Sequence, residues 1–159
     1  MTSHPTHLTP SDLAVVVPYF ESFDTLLNFT TVNKKCTQTL SLVEVGPLYK
    51  FAEASTPTQL AAILKSATFF PNIKTFFCHG WEWLFIPFFP ETVVRIVVEE
   101  PLEYSDVRPT RNNRALLNKI CRCSIEIEDT TETVDLSHLS ALEHCTLTIS
   151  APIGRVELP

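Results

Sequence analysis

Four segments of this 159-residue chain repeat one apolar spacing, and that recurrence limits the fold more than any other feature. They are Phe70-x-x-Ile73-x-x-Phe76-x-Cys78, Pro90-x-x-Val93-x-x-Ile96-x-Val98, Leu117-x-x-Ile120-x-x-Cys123-x-Ile125 and Leu139-x-x-Leu142-x-x-Cys145-x-Leu147. Positions 76, 96, 123 and 145 are separated by 20, 27 and 22 residues. A period of about 20–29 residues accommodates one short strand and a return segment. One coil cannot bury its apolar face alone, so coils stack into a parallel sheet with the returns on the other side. The pattern predicts strands near 73–78, 93–98, 123–127 and 145–149, adjacent, parallel and in that order. The uneven intervals also fit an ordinary βαβ domain whose strands happen to recur.

Glycine supports the parallel arrangement by its scarcity. Gly46, Gly80 and Gly154 are the only three, 34 and 74 residues apart, so no two share a phosphate-cradling loop. Nucleotide chemistry of the common kinds is excluded, and hairpin-built all-β folds, whose tight turns favour Asn-Gly or Asp-Gly, are disfavoured. A 45% hydrophobic composition with eleven Phe excludes disorder of the whole chain. Twelve basic against eighteen acidic residues give a net charge of −6, which opposes nonspecific nucleic-acid binding. The longest apolar run, Trp83–Phe89, contains Pro87 and is far shorter than the roughly 20 residues of a membrane span. The start, with His4 and His7, has no basic or apolar signal region, and residues 1–7 are expected to be disordered. Five cysteines without a disulfide spacing fit a reduced protein, cytoplasmic or nuclear, and no cofactor is expected.

Before residue 68 the texture is helical. Thr9-Pro10-Ser11-Asp12 and Thr56-Pro57-Thr58-Gln59 each place a hydroxyl at the N-cap, proline at N1 and an acceptor at N3. The first opens a helix with Leu13, Val16, Val17 and Phe20 on one face, although Pro18 should kink or shorten it. A second helical stretch from about Asp24 places Leu26, Leu27, Val32, Cys36 and Leu40 inward. The second capped helix, about 57–67, buries Leu60, Ile63 and Leu64.

The stretch Leu136-Ser-His-Leu139-Ser-Ala-Leu142-Glu-His-Cys145-Thr-Leu147-Thr-Ile149 resembles a leucine-rich repeat, as does Phe70-Pro-Asn-Ile73-Lys-Thr-Phe76-Phe-Cys78-His-Gly80. The N-terminal part resembles an F-box, the helical module that docks on the adaptor subunit of SCF-type ubiquitin ligases. Pro10-Ser-Asp12-Leu13, Val16-Val17-Pro18-Tyr19-Phe20, Asp24-Thr-Leu26-Leu27 and Val32-Asn-Lys34-Lys35-Cys36 carry that likeness, with Cys36 in place of the usual Trp and Asn33 in place of Cys. The resemblance implies an α/β chain: an F-box-like helical unit and linker over residues 8–55, then a short leucine-rich-repeat solenoid of about four repeats with a parallel sheet over 56–159. It also implies a non-catalytic adaptor, contacting the ligase adaptor subunit through Pro10, Leu13, Val16, Leu26, Leu27 and Val32 and an unknown target protein through the sheet, with no nucleic acid and no membrane involved. The alternative is a leucine-rich-repeat scaffold whose helical start only caps the array.

Strand alternation puts 76/78, 96/98, 123/125 and 145/147 inside and their neighbours outside. The outer positions form three columns: Thr75, Arg95, Arg122 and His144; Phe77, Val97, Ser124 and Thr146; His79, Glu99, Glu126 and Thr148. That pattern reads as a concave recognition face, or as Arg95–Glu99 and Arg122–Glu126 pairs screening each other in solvent. Cys78-His79 and His144-Cys145 are adjacent only in sequence, whereas a catalytic dyad needs spatial pairing with an activated thiolate. Cys78, Cys123 and Cys145 instead fall at core positions, and Cys121-Arg-Cys123 lacks the second ligand pair of a zinc site. No enzyme is expected. The aromatic segment from Trp81 to Phe89 reads as core with one tryptophan available to a partner, and Arg108, Arg111, Arg114 and Lys119 as a solvated helix or an anion-facing patch.

Overall fold

The computed structural model describes residues 8–46, 69–78, 91–128 and 131–159. The chain divides into two compact units, Met1–Lys74 and Thr75–Pro159. The expected helix at 57–67, the aromatic segment 81–89, His79 and the first seven residues lie outside the described residues.

In the first unit, α1 (Pro10–Ala14) begins with the expected reciprocal cap. The Thr9 hydroxyl accepts the Asp12 N–H at 3.3 Å, and the Asp12 carboxylate accepts the Thr9 N–H at 2.8 Å and its hydroxyl at 2.6 Å. The helix does not run on to Phe20. Proline 18 has no N–H to donate, and the chain instead makes a 3₁₀ turn over Val17–Tyr19. Val17 is therefore buried while Val16 is exposed, so the predicted single face of Leu13, Val16, Val17 and Phe20 is split.

Two helices follow, α2 (Phe23–Val32) and α3 (Lys34–Thr39), each started by a side-chain cap. The Ser22 hydroxyl accepts the Thr25 N–H at 3.2 Å, and Asn33 Oδ1 accepts the Cys36 N–H at 3.1 Å. Asn33 is extended, which separates the two helices and changes their inward faces. Leu26, Cys36 and Leu40 are buried as expected, but Leu27 is only half-buried and Val32 projects outward. The buried Thr39 hydroxyl donates to the Lys35 carbonyl at 2.8 Å and lies 3.3 Å from that of Pro10, joining α3 to α1. Residues 72 and 74 return to this unit: Asn72 Nδ2 donates to the Ser41 carbonyl at 2.7 Å, and the Lys74 N–H to the Glu44 carbonyl at 2.7 Å.

The second unit contains β1 (Thr75–Cys78), β2 (Arg95–Glu103), one-turn α4 (Arg114–Leu117), β3 (Ile120–Ile127), β4 (Thr131–Asp135), β5 (His144–Ile149) and β6 (Ile153–Glu157). The first sheet has the order β1-β2-β3-β5 and every pairing in it is parallel. That is the predicted order of the four repeats, and the strands form a solenoid of about three turns. The pattern did not predict the second sheet, in which β4 pairs β6 in parallel. Inside the coils, Phe76, Cys78, Ile96, Val98, Leu102, Ile120, Cys123, Ile125, Ile127, Val134, Leu136 and Leu139 are buried, which supplies the main stabilisation of such a stack.

Two irregularities interrupt β2 and β3. Ile96 pairs with Ile120, Val97 with Arg122 and Pro101 with Ser124, so Cys121 is an extra residue on β3, and Val98, Glu99 and Glu100 span the place of Cys123. Such bulges bend the strand and re-aim its side chains. The basic stretch is also different from expectation. Residues 104–113 are mostly turns, and α4 is a single turn whose Leu116 and Leu117 are buried.

Candidate functional site

The contact residues expected from the sequence fall in the helical unit, which holds a groove, and on the parallel sheet. The groove, about 560 Å³, is lined by Leu8, Leu13, Phe29, Val32, Asn33, Lys35 and Cys36. It forms because Asn33 ends α2 and caps α3, leaving Val32 70% exposed at its rim. Lys35 Nζ donates to the Leu8 carbonyl at 3.2 Å and holds the entering chain against α3. Phe29 packs edge-on against Phe20, with ring centroids 5.1 Å apart. Val15, Val16 and the 79%-exposed Tyr19 project from the same unit.

Of the residues expected to contact a ligase adaptor, Leu13 and Val32 line this groove. Pro10 is the first residue of α1, Val16 is exposed and Leu27 is half-buried. Leu26 is fully buried and has no surface to offer, which corrects its expected role as a contact. Helical periodicity did not single out Leu8 or Phe29. The two become groove residues only because the chain breaks at Val15 and at Asn33.

On the sheet, the register reorganises the expected columns. Thr75 is beside Arg95. The next row is Phe77, Val97, Arg122 and His144, followed by Pro101, Ser124 and Thr146, then Glu103, Glu126 and Thr148. Arg122 thus stands beside Val97 rather than Arg95, and Ser124 beside Pro101 rather than Val97. The two strands pair three residues away from the repeat spacing already at Ile96–Ile120, and the two bulges shift the later pairs further, neither of which a uniform spacing can register. Val97 is only 7% exposed, so it is not an open contact position, and Glu99 lies in the irregular segment without a Cα partner on β3. Arg95, Arg122, His144, Thr146 and Thr148 are exposed, and Thr75, Phe77, Ser124 and Glu126 are half-exposed. Arg95 does not use Glu99: its guanidinium meets the Glu143 carboxylate at 2.7 Å.

The thiols are placed as packing groups. Cys78 donates to the Val97 carbonyl at 3.7 Å and Cys121 to that of Ile96 at 3.3 Å. Cys123 and Cys145 are Cα partners on adjacent strands. Burial, with a smaller contribution from Cys145, pushes the Cys123 thiol up to about 12, and burial also raises Cys145, partly offset by its hydrogen bond with Cys123. A thiol with so high a pKa is not an activated nucleophile at neutral pH.

A polar network links two loops of the second unit. His138 Nε2 donates to the Val107 carbonyl at 2.6 Å, while its buried Nδ1 has no hydrogen-bond partner. The Tyr104 hydroxyl accepts the Asp135 N–H at 2.9 Å, and the Arg108 guanidinium stacks 4.9 Å above the Tyr104 ring. Three or more His, Cys, Asp or Glu side chains do not converge on a metal position among the described residues. No described helix is long and apolar enough to cross a membrane. No protein-family model, curated protein or solved structure matches the chain.

Proposed function

We propose that the chain is a non-catalytic protein-interaction adaptor, its helical unit docking the adaptor subunit of an SCF-type ubiquitin ligase and its parallel sheet holding a target protein. The observation that carries this reading is the groove lined by Leu8, Leu13, Phe29 and Val32 together with the exposed Val15, Val16 and Tyr19. Apolar side chains gathered on the surface of so small a unit are the chemistry of a protein interface. The F-box-like residues Leu13, Val16 and Val32 belong to this set. On the sheet, Glu103 beside Glu126 makes an acidic row next to the uncharged Pro101, Ser124 and Thr146, a surface suited to a target with a basic patch.

The test is capture of a purified ligase adaptor subunit by the full chain. Val32→Asp and Val16→Asp are expected to abolish capture while preserving the helical circular-dichroism signal, because both side chains are exposed. Capture unaffected by both variants, or no capture by the natural chain, overturns the ligase role.

Complete burial of Leu26 and Val17 favours a second reading, in which the helical unit is only a structural cap for a scaffold. That reading expects Leu26→Ala to unfold the first unit and expects no ligase subunit to bind at any concentration.

A further inference from the structure

We propose that the C-terminal end of the second unit is a self-association surface, on which a second copy of this chain pairs antiparallel about a two-fold axis. This inference goes beyond the adaptor reading and does not depend on it.

The register exposes the surface. Cys123, Ile125 and Ile127 of β3 are buried, yet of their Cα partners on β5 Cys145 and Leu147 are only half-buried and Ile149 is 47% exposed. On the second sheet Val134 is fully buried, while its partner Val156 is only half-buried. Leu136 is fully buried, whereas Leu158, one position beyond the last pair of β4 and β6, is 62% exposed. The same inward-facing positions that make the core of one coil are therefore left incompletely covered on the next. Among the described residues β5 and β6 are also the edges of their sheets.

Charge and edge chemistry select a second copy as the occupant. Arg155 and Glu157 flank Val156 with opposite signs on one exposed face of β6, paired within the strand only at 3.5 Å. When β6 meets β6 of a second copy antiparallel about Val156, Arg155 of each lies opposite Glu157 of the other. Directly opposed unlike charges stabilise an antiparallel pair, and the arrangement is self-complementary as a two-fold contact requires. The edge of β5, His144-Cys-Thr-Leu-Thr-Ile149, has no lysine, arginine, acid or proline. It thus lacks the devices by which natural sheets discourage strand addition. Pairing about Leu147 keeps Cys145 of one copy opposite Ile149 of the other, so the inward positions of both coils meet one another and leave the water together.

The experiment is sedimentation velocity of the full chain over a concentration series, with circular dichroism as the control for folding. The natural chain is expected to form a dimer that dissociates on dilution. Ile149→Lys is expected to give a monomer, and Arg155→Glu or Glu157→Arg alone to weaken association about tenfold by placing like charges opposite each other. The double exchange R155E/E157R is expected to restore the natural affinity. Since Arg155 and Glu157 are surface residues, the charge series decides the matter even where Ile149→Lys disturbs folding. A chain that stays monomeric throughout overturns the proposal, as does a dimer indifferent to both charge variants. Open-ended filaments instead of a closed dimer, or a double exchange that fails to restore affinity, overturn it as well.

Discussion

Arg95 at the start of β2 and Glu143 just before β5 meet at 2.7 Å although β3 lies between their strands. The acid is held in place from below: the Glu143 N–H donates to the Cys121 carbonyl of β3 at 2.8 Å. Three coils of the solenoid are thereby connected by one side-chain contact. Both partners are about half-exposed, so solvent and salt weaken the attraction. Glu143→Gln is expected to shift the denaturant midpoint slightly downward at low ionic strength, and the shift should vanish near 1 M salt. Urea titrations at the two ionic strengths check this, and a salt-independent loss would mean that packing, not charge, holds the contact.

The five thiols differ in accessibility. Cys36, Cys78, Cys121 and Cys123 are buried, and Cys145 is partly open. Cys123 combines burial with a pKa near 12 and carries negligible thiolate at neutral pH. Alkylation of the folded chain with iodoacetamide is therefore expected to modify Cys145 first, with Cys123 reacting only after denaturation. Peptide mass mapping over time measures the order. Rapid modification of Cys123 in the folded chain would contradict both its burial and its raised pKa.

The parallel order of β1, β2, β3 and β5 is legible because each strand repeats the apolar spacing that stacking demands. Cys123–Cys145 and Phe76–Ile96 are matched by that spacing and are Cα partners. Ile96 and Cys123 are matched by it too, but β3 is slipped by three residues so that Ile96 pairs with Ile120, and the bulges at Cys121 and at Val98–Glu100 then shift the register again. Those irregularities depend on how one coil settles on the next, which no single strand encodes. The second sheet is hidden for a different reason. Within Thr131-Glu-Thr-Val-Asp135 only Val134 is apolar, too little alternation to mark a strand. In the helical unit the Thr9 cap is readable because it involves neighbours three residues apart. The groove is not, since Leu8 and Phe29 come to line one groove only after the chain breaks at Val15 and at Asn33.

Acid should loosen both units through two capping carboxylates. The hydroxyl of Thr9, and then its N–H, hold the Asp12 carboxyl below its ordinary 3.8. Ser137 does the same for Asp135, again through hydroxyl first and N–H second. A carboxyl whose pKa is lowered on folding stabilises the fold above its unfolded value, and that contribution is lost as pH falls through the folded value. Stability is thus expected to be steady from neutrality to about pH 5 and to decline below about pH 4 as carboxylates protonate. Asp12→Ala should remove part of that decline from the helical signal. Thr9→Ala should cost about 1 kcal/mol near neutrality, the ordinary loss for an N-cap hydroxyl. Denaturant unfolding across the pH series measures both effects.

Two Cα partners give a direct measure of how burial changes from one coil to the next. Ile125 and Leu147 occupy the same register position on β3 and β5, but Ile125 is fully buried and Leu147 half-exposed. Truncating a fully buried aliphatic side chain removes its transfer free energy and leaves a cavity that neighbours fill only in part. Ile125→Ala is therefore expected to cost about 3 kcal/mol. Leu147→Ala should cost less than about 1.5 kcal/mol in dilute, monomeric protein, because solvent already reaches that side chain and the terminal coil can relax around the change. Unfolding at nanomolar concentration, followed by intrinsic fluorescence, tests the pair. Equal losses at the two positions would mean that the end of the stack is covered in solution.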